Sequence, residues 1–161
     1  MTKPSDPLIQ EVLNRRTIAC LATHNDDGSI HLTSVWFLYE NGHIYVGTQS
    51  ESRKARNLAA RPKASLLVDV REPGTERGVM VAGTGALLHG ARATEMLARI
   101  QRRYLSAAAL ADPQVGPVFA GLDNVVIELV PGKWTSWDMR VLGQQLFGGR
   151  LATPGYVLPL E

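Results

Sequence analysis

The residues best suited to chemistry lie in one stretch, Gly47-Thr48-Gln49-Ser50-Glu51-Ser52-Arg53-Lys54-Ala55-Arg56-Asn57-Leu58. A strand ends in hydroxyl residues, a helix begins, and Arg53 and Lys54 fall in its first turns. Cations at a helix N-terminus oppose the helix dipole. A bound phosphate would compensate, because free backbone N–H groups, Ser or Thr hydroxyls and paired cations together cradle an anion. No Gly-x-x-x-x-Gly-Lys pattern is present, which excludes a nucleotide-hydrolysing loop of that type. From the spacing alone two readings stand: a phosphate cradle, or the solvated basic face of a surface helix.

The basic run continues through Arg56, Arg61 and Lys63 with no acid between Arg53 and Lys63. A nucleic-acid surface would add exposed stacking aromatics. Here the aromatics sit in apolar strands and read as core, which speaks against that surface. The four histidines, His24, His31, His43 and His89, are scattered over strand edges, and no Gly-x-Ser-x-Gly elbow appears. Cys20 sits within an apolar strand, where a free cysteine behaves as a small hydrophobe. Asp69 and Asp138 have no evident partner in the sequence, and no Cys/His spacing resembles a zinc site. Side chains therefore offer no acid–base constellation, and a cofactor that carries the chemistry is the expectation.

The elements that must position these residues fit in one domain, residues 1–161. The chain is 45% hydrophobic and 20% charged with a net charge of +2, so it is an ordinary globular chain and not a polyanion seeker. A single cysteine and the lack of an apolar leader or of a run of ~18 apolar residues point to the cytoplasm and to no membrane partner. Ser5-Asp6-Pro7 opens a helix with Leu8, Ile9, Val12 and Leu13 on one stripe. Strands are predicted at 17–24, 30–39 and 43–48, joined by Asp27-Gly28 and Asn41-Gly42 turns. A helix over 50–60 follows, then strands at 64–70 and 78–89, the second with a bend or close approach at Gly83 and Gly85. An amphipathic helix over 91–105 turns Met96, Leu97, Ile100 and Tyr104 inward, and two last strands cover 124–130 and 133–139. Tight hairpins require antiparallel pairing. The fold class is mainly β with helices (α+β): about six strands in a closed or partly closed barrel with helices on its ends. Val35, Trp36 and Phe37 lie on a strand apolar on both faces, so its outer face should meet helices or a second copy of the chain, which predicts a homodimer.

The Thr-Ser-Val-Trp-Phe strand, the Asn-Gly turn, Tyr-Val-Gly-Thr, Ser-Arg-Lys-Ala-Arg-Asn-Leu and Pro-Lys-Ala-Ser-Leu-Leu-Val-Asp, in this order, resemble the pyridoxamine 5'-phosphate oxidase-like superfamily. Its members are flavin- and deazaflavin-binding split β-barrels, so the resemblance implies a six-stranded antiparallel split β-barrel of the FMN-binding type. It implies that Thr33, Ser34, Val35 and Trp36 lie along the cofactor ring, that Thr48 and Ser50 are hydroxyls at its phosphate, and that Arg53 and Lys54 are the basic phosphate ligands. It places the cofactor, FMN or coenzyme F420, in a groove between two subunits, closed by Trp134 or Trp137 of the second chain. The implied activity is hydride transfer to a small-molecule substrate. The tail reads Gly149-Arg150-Leu151-Ala152-Thr153 and lacks an Arg-Leu-His-Asp-Arg segment, so vitamin B6 oxidation is not expected. A non-catalytic flavin carrier or sensor is the alternative, with a nucleic-acid-binding module behind it.

Overall fold

Asp6 starts the first helix. In the computed structural model, which describes residues 4–159, its carboxylate accepts a 2.9 Å hydrogen bond from the Leu8 N–H and Pro7 takes the first turn. Residues 1–3 and 160–161 lie outside the described residues. Helix α1 spans Pro7–Asn14 and buries Ile9, Val12 and Leu13, as its apolar stripe predicts.

The strands are β1 (Ala19–His24), β2 (Ile30–Val35), β3 (Leu38–Glu40), β4 (His43–Gln49), β5 (Lys63–Val70), β6 (Arg77–Leu88) and β7 (Asn124–Asp138). They form one antiparallel sheet in the order β2-β1-β5-β6-β7-β4-β3. Strands β2 and β3 are joined by only Trp36 and Phe37, yet they lie at opposite edges. Laid flat, seven strands would put those edges about 29 Å apart. The three peptide steps from Val35 to Leu38 reach at most ~11 Å. The sheet must therefore curl until its edges meet, which makes a half-barrel.

The strand count is seven, not six, and two boundaries move. The predicted strand over 30–39 breaks at Trp36-Phe37, where the Tyr104 hydroxyl takes the place of a neighbouring strand: it accepts from the Phe37 N–H at 3.3 Å and donates to the Thr17 carbonyl at 2.7 Å. The two predicted last strands are one, β7. Pro131 has no N–H to give the ladder, and the sheet absorbs it by a register slip opposite Ala82/Gly83 that leaves Gly132 without a partner. Gly83 is needed there, because a Cβ would collide with the Val130 carbonyl. The Asn41-Gly42 turn has positive φ at both residues (51° and 81°), as a tight hairpin requires.

Inside the half-barrel, Leu21, Val46, Leu66, Val68, Val79, Val81, Ile127 and Leu129 meet α1 and Phe37. Helix α2 (Arg53–Ala60) adds Leu58 to the same core. Helix α3 (Gly90–Tyr104) packs outside, with Ala93, Met96 and Ile100 against Tyr45 and Val126. One oxygen of Glu128 fixes this arrangement by accepting from His43 (2.9 Å), Tyr45 (3.0 Å) and Arg92 (3.1 Å), which ties β4, β7 and α3 together. Burial pushes the Glu128 carboxyl up, but the bonds from His43 and Tyr45 and the Arg92 charge outweigh it and hold it below the ordinary range. Short helices α4 (Ala107–Ala111) and α5 (Gly116–Gly121) bury none of their residues, and α6 (Met139–Phe147) follows β7. Asp69 and Asp138, unpaired in the sequence reading, bind Arg71 (2.7 Å) and Arg140 (2.6 Å).

Candidate functional site

The phosphate-cradle stretch folds as strand, tight connection and helix, but the helix begins three residues later than predicted. Ser52 is its cap: the Ser52 hydroxyl accepts from the Ala55 N–H at 3.3 Å and from the Thr48 hydroxyl at 2.9 Å. Ser50 is turned to β7 instead. Its N–H donates to the Asp123 carbonyl at 3.1 Å and its hydroxyl to the Asp123 carboxylate. Arg53 and Lys54, successive on a helix, leave its axis about 100° apart. Lys54 lines a cavity with Trp36, Thr48 and Ser52, whereas Arg53 is exposed and faces a polar cleft with Arg56 and the Asn25–Ser29 turn.

The Lys54 cavity measures ≈ 300 Å³. Its polar lining includes Thr48, Gln49, Ser52 and Lys54, and its apolar lining includes Trp36, Leu97, Ile100 and Phe119. Burial holds the Lys54 ammonium below the ordinary lysine value. No carboxylate among the described residues pairs with it. A half-buried cation without a counter-ion, beside a hydroxyl at a helix start, is the electrostatic signature of an anion site. Trp36 is held flat by Tyr104, whose ring stacks on it at 4.9 Å and 4°.

The remaining sequence-predicted residues lie elsewhere. Thr33 and Val35 point to the inner face of β2, Val35 into the core. Ser34 faces outward beside Cys20 and lines a separate cleft of ≈ 540 Å³ with Arg15, Arg16 and Arg71. Trp137 is the penultimate residue of β7, 38% exposed, with its ring over Gly78, while Trp134 packs on the barrel core edge-on to Tyr39. Of the predicted residues, the structure thus brings Trp36, Thr48 and Lys54 into one cavity. The sequence reading missed Ser52, Phe119, Leu122 and Asn124, which complete the walls. Ser52 carried a signal, since a serine three residues before Ala55 is a helix-cap pattern; the 119–124 segment carried none.

Residues 5–138 match the family described as pyridoxamine 5'-phosphate oxidase. The chain belongs to that family. Solved structures with its split-barrel fold include conserved hypothetical protein Rv2991 from Mycobacterium tuberculosis, 28% identical, with a TM-score of 0.73 over 86% of this chain and 88% of that one. An F420 reductase is 21% identical, with a TM-score of 0.59 over 78% and 94%. An FAD-binding protein from Mesorhizobium loti is 18% identical, with a TM-score of 0.57 over 79% and 89%. No curated protein matches the chain. As a member of this family the chain shares the curled antiparallel half-barrel, and among the described residues no helix is long and apolar enough to cross a membrane.

Proposed function

We propose that the protein is an oxidoreductase that binds a phosphate-bearing flavin-type cofactor, FMN or coenzyme F420, and acts on a small organic substrate in the cytoplasm. The observation that carries this reading is Lys54: a partly buried ammonium with no carboxylate partner among the described residues, in one cavity with Thr48 and Trp36. The donor set fits such a group. Lys54 supplies the charge for a phosphate, and the Thr48 hydroxyl can turn from Ser52 to donate to it. Trp36, Leu97 and Ile100 supply the apolar wall that a tricyclic ring wants and keep water from its face. When bound, the cofactor supplies hydride transfer. The chain's residues orient it and set the dielectric around it. The names of two structural neighbours, an F420 reductase and an FAD-binding protein, accord with this cofactor class.

The same reading includes a homodimer. At ≈ 300 Å³ the cavity is at the small end for an organic cofactor, so a second copy would complete it. The outer sheet face carries exposed Leu32, Met80 and Trp137, a surface that a two-fold partner would cover and that would bring Trp137 toward the neighbouring groove. Mass spectrometry of the small molecule released from purified protein, followed by turnover with a reductant and a panel of small organic acceptors, tests the proposal. Released FMN or F420 with turnover is expected. Bound cofactor without turnover on any acceptor would make the protein a carrier or sensor, and failure to retain or bind either cofactor would overturn the reading.

A further inference from the structure

Phe119 stands between two cavities. One is the Lys54 cavity; the other, of ≈ 290 Å³, lies behind it, bounded by Ala93, Thr94, Ala98 and Ala120. Across the first cavity the Phe119 ring faces Trp36, nearly parallel at 18°, with centroids 6.4 Å apart. At that separation the two rings form an offset stack rather than an open slot. A flat ring between them needs about 7 Å, two van der Waals contacts of roughly 3.5 Å each. The rings as they stand leave no room for a third between them, so entry of a flat ring requires one of them to shift.

The two jaws differ in mobility. Trp36 is backed by Tyr104, stacked at 4.9 Å and anchored through its hydroxyl to Thr17. Phe119 rides on α5, which buries none of its residues, and behind it lies open space. Its backbone is held by the Asn124 side chain, which donates to the Phe119 carbonyl at 3.4 Å and to the Leu122 carbonyl at 3.0 Å. A displacement of Phe119 into the rear cavity would open a slot beside Trp36.

We infer that Trp36 and Phe119 are a fixed and a movable jaw that take a planar aromatic ring between them, with Phe119 stepping back into the rear cavity on binding. The inference rests on the flavin-type reading above and adds to it the residue that grips the ring and the space that accommodates it. The class of ligand is a flat fused heterocycle that carries an anion within reach of Lys54.

The test is fluorescence titration of the full chain and of Phe119→Leu and Lys54→Met with FMN, with riboflavin, which lacks the phosphate, and with coenzyme F420. Phe119→Leu keeps apolar bulk and removes the stacking face. It should weaken FMN and riboflavin by the same factor, roughly 2- to 12-fold, the size of one aromatic stacking interaction. It should also reduce the change in Trp36 emission on binding. Lys54→Met should weaken FMN and leave riboflavin unchanged. Unaltered affinities for all three ligands in Phe119→Leu would overturn the clamp while leaving the Lys54 reading intact. Equal FMN and riboflavin losses in Lys54→Met would overturn the phosphate reading instead. Absence of binding of all three to the unaltered protein would overturn both. Thermal unfolding checks the fold of Phe119→Leu; because Phe119 belongs to neither core cluster, its melting temperature should match that of the unaltered protein.

Discussion

Replacing Lys54 with Met should make the free protein more stable and the cofactor-bound protein less so. Burial holds the Lys54 pKa down, so folding penalises the charged form. For a lysine with a depressed folded pKa the penalty is complete below that pKa and is relieved as pH rises through it toward the unfolded value of 10.5. At neutral pH the Met variant escapes the penalty, and its advantage over the parent narrows as pH approaches 10.5. The bound state reverses the order. A charge-assisted hydrogen bond from Lys54 to a phosphate contributes about 1.5–3 kcal/mol, so its loss raises the FMN dissociation constant roughly 12- to 160-fold. At a concentration 100 times the parent's dissociation constant, FMN stabilises the parent by about 2.7 kcal/mol and the variant by only about 0.3–1.3 kcal/mol. For a domain of this size that is a rise in melting temperature of about 5–11 °C for the parent against about 1–5 °C for the variant. Differential scanning fluorimetry with and without FMN, at pH 7 and pH 9.5, measures all four states. A variant that is destabilised when free and gains as much from FMN as the parent would refute the reasoning, because Lys54 would then be a structural residue.

Three further outcomes follow from the same geometry. Arg77, 4% exposed, donates to Glu11 (2.5 Å) and to the Thr75 carbonyl (2.9 Å), so Arg77→Met should cost roughly 2–3 kcal/mol by urea titration, less than a fully buried pair because Glu11 is partly solvated and keeps Arg140. Hydrogen bonds from Arg140 and Arg77 lower the Glu11 pKa, so this contribution is present above the carboxylate's ordinary 4.5 and fades as pH falls through the lowered value; a parent–variant gap that widened in acid would contradict it. Gly78→Val should displace the Trp137 ring that lies over Gly78, costing about 1–3 kcal/mol and shifting tryptophan emission, and an unchanged spectrum and melting point would show that the ring moves freely. Analytical ultracentrifugation at micromolar concentration should find a dimer, and a monomer that still holds cofactor would remove the proposed interface site.

The sequence disclosed most of the frame because the frame is set by local rules. Asp6-Pro7, Asn41-Gly42 and the Met96/Ile100 spacing each have one good local solution, and the structure takes it. It failed where a distant partner decides. Nothing near Trp36 announces that Tyr104, 68 positions on, will satisfy the Phe37 backbone and end the strand there. Nothing near Pro131 says that the facing strand supplies a glycine at the place where the proline must slip. Apolar bulk on both faces of the 30–39 strand suggested burial on both sides, yet Leu32 is 63% exposed in the described fold.

The site divides along the same line. Thr48 and Lys54 were legible because a hydroxyl and a cation around a helix start are a short-range chemical pattern, and the structure puts them in one cavity. That pattern could not distinguish Lys54 from Arg53, because the 100° step between neighbours decides which of them faces inward only once the helix is docked. Nor could it foresee that Ser50 is taken by Asp123, a residue that lies beside it only because β7 pairs with β4 in this register. The same pairing carries the 119–124 segment to the mouth of the cavity, and with it Phe119. The polar lining of the cavity is thus written locally in residues 48–54, whereas its apolar lining is assembled by topology from Trp36, Leu97 and Phe119 on three separated segments. Substitutions at 48–54 should therefore act on anion affinity with little effect on ring selectivity, and changes in α3 or α5 should do the opposite.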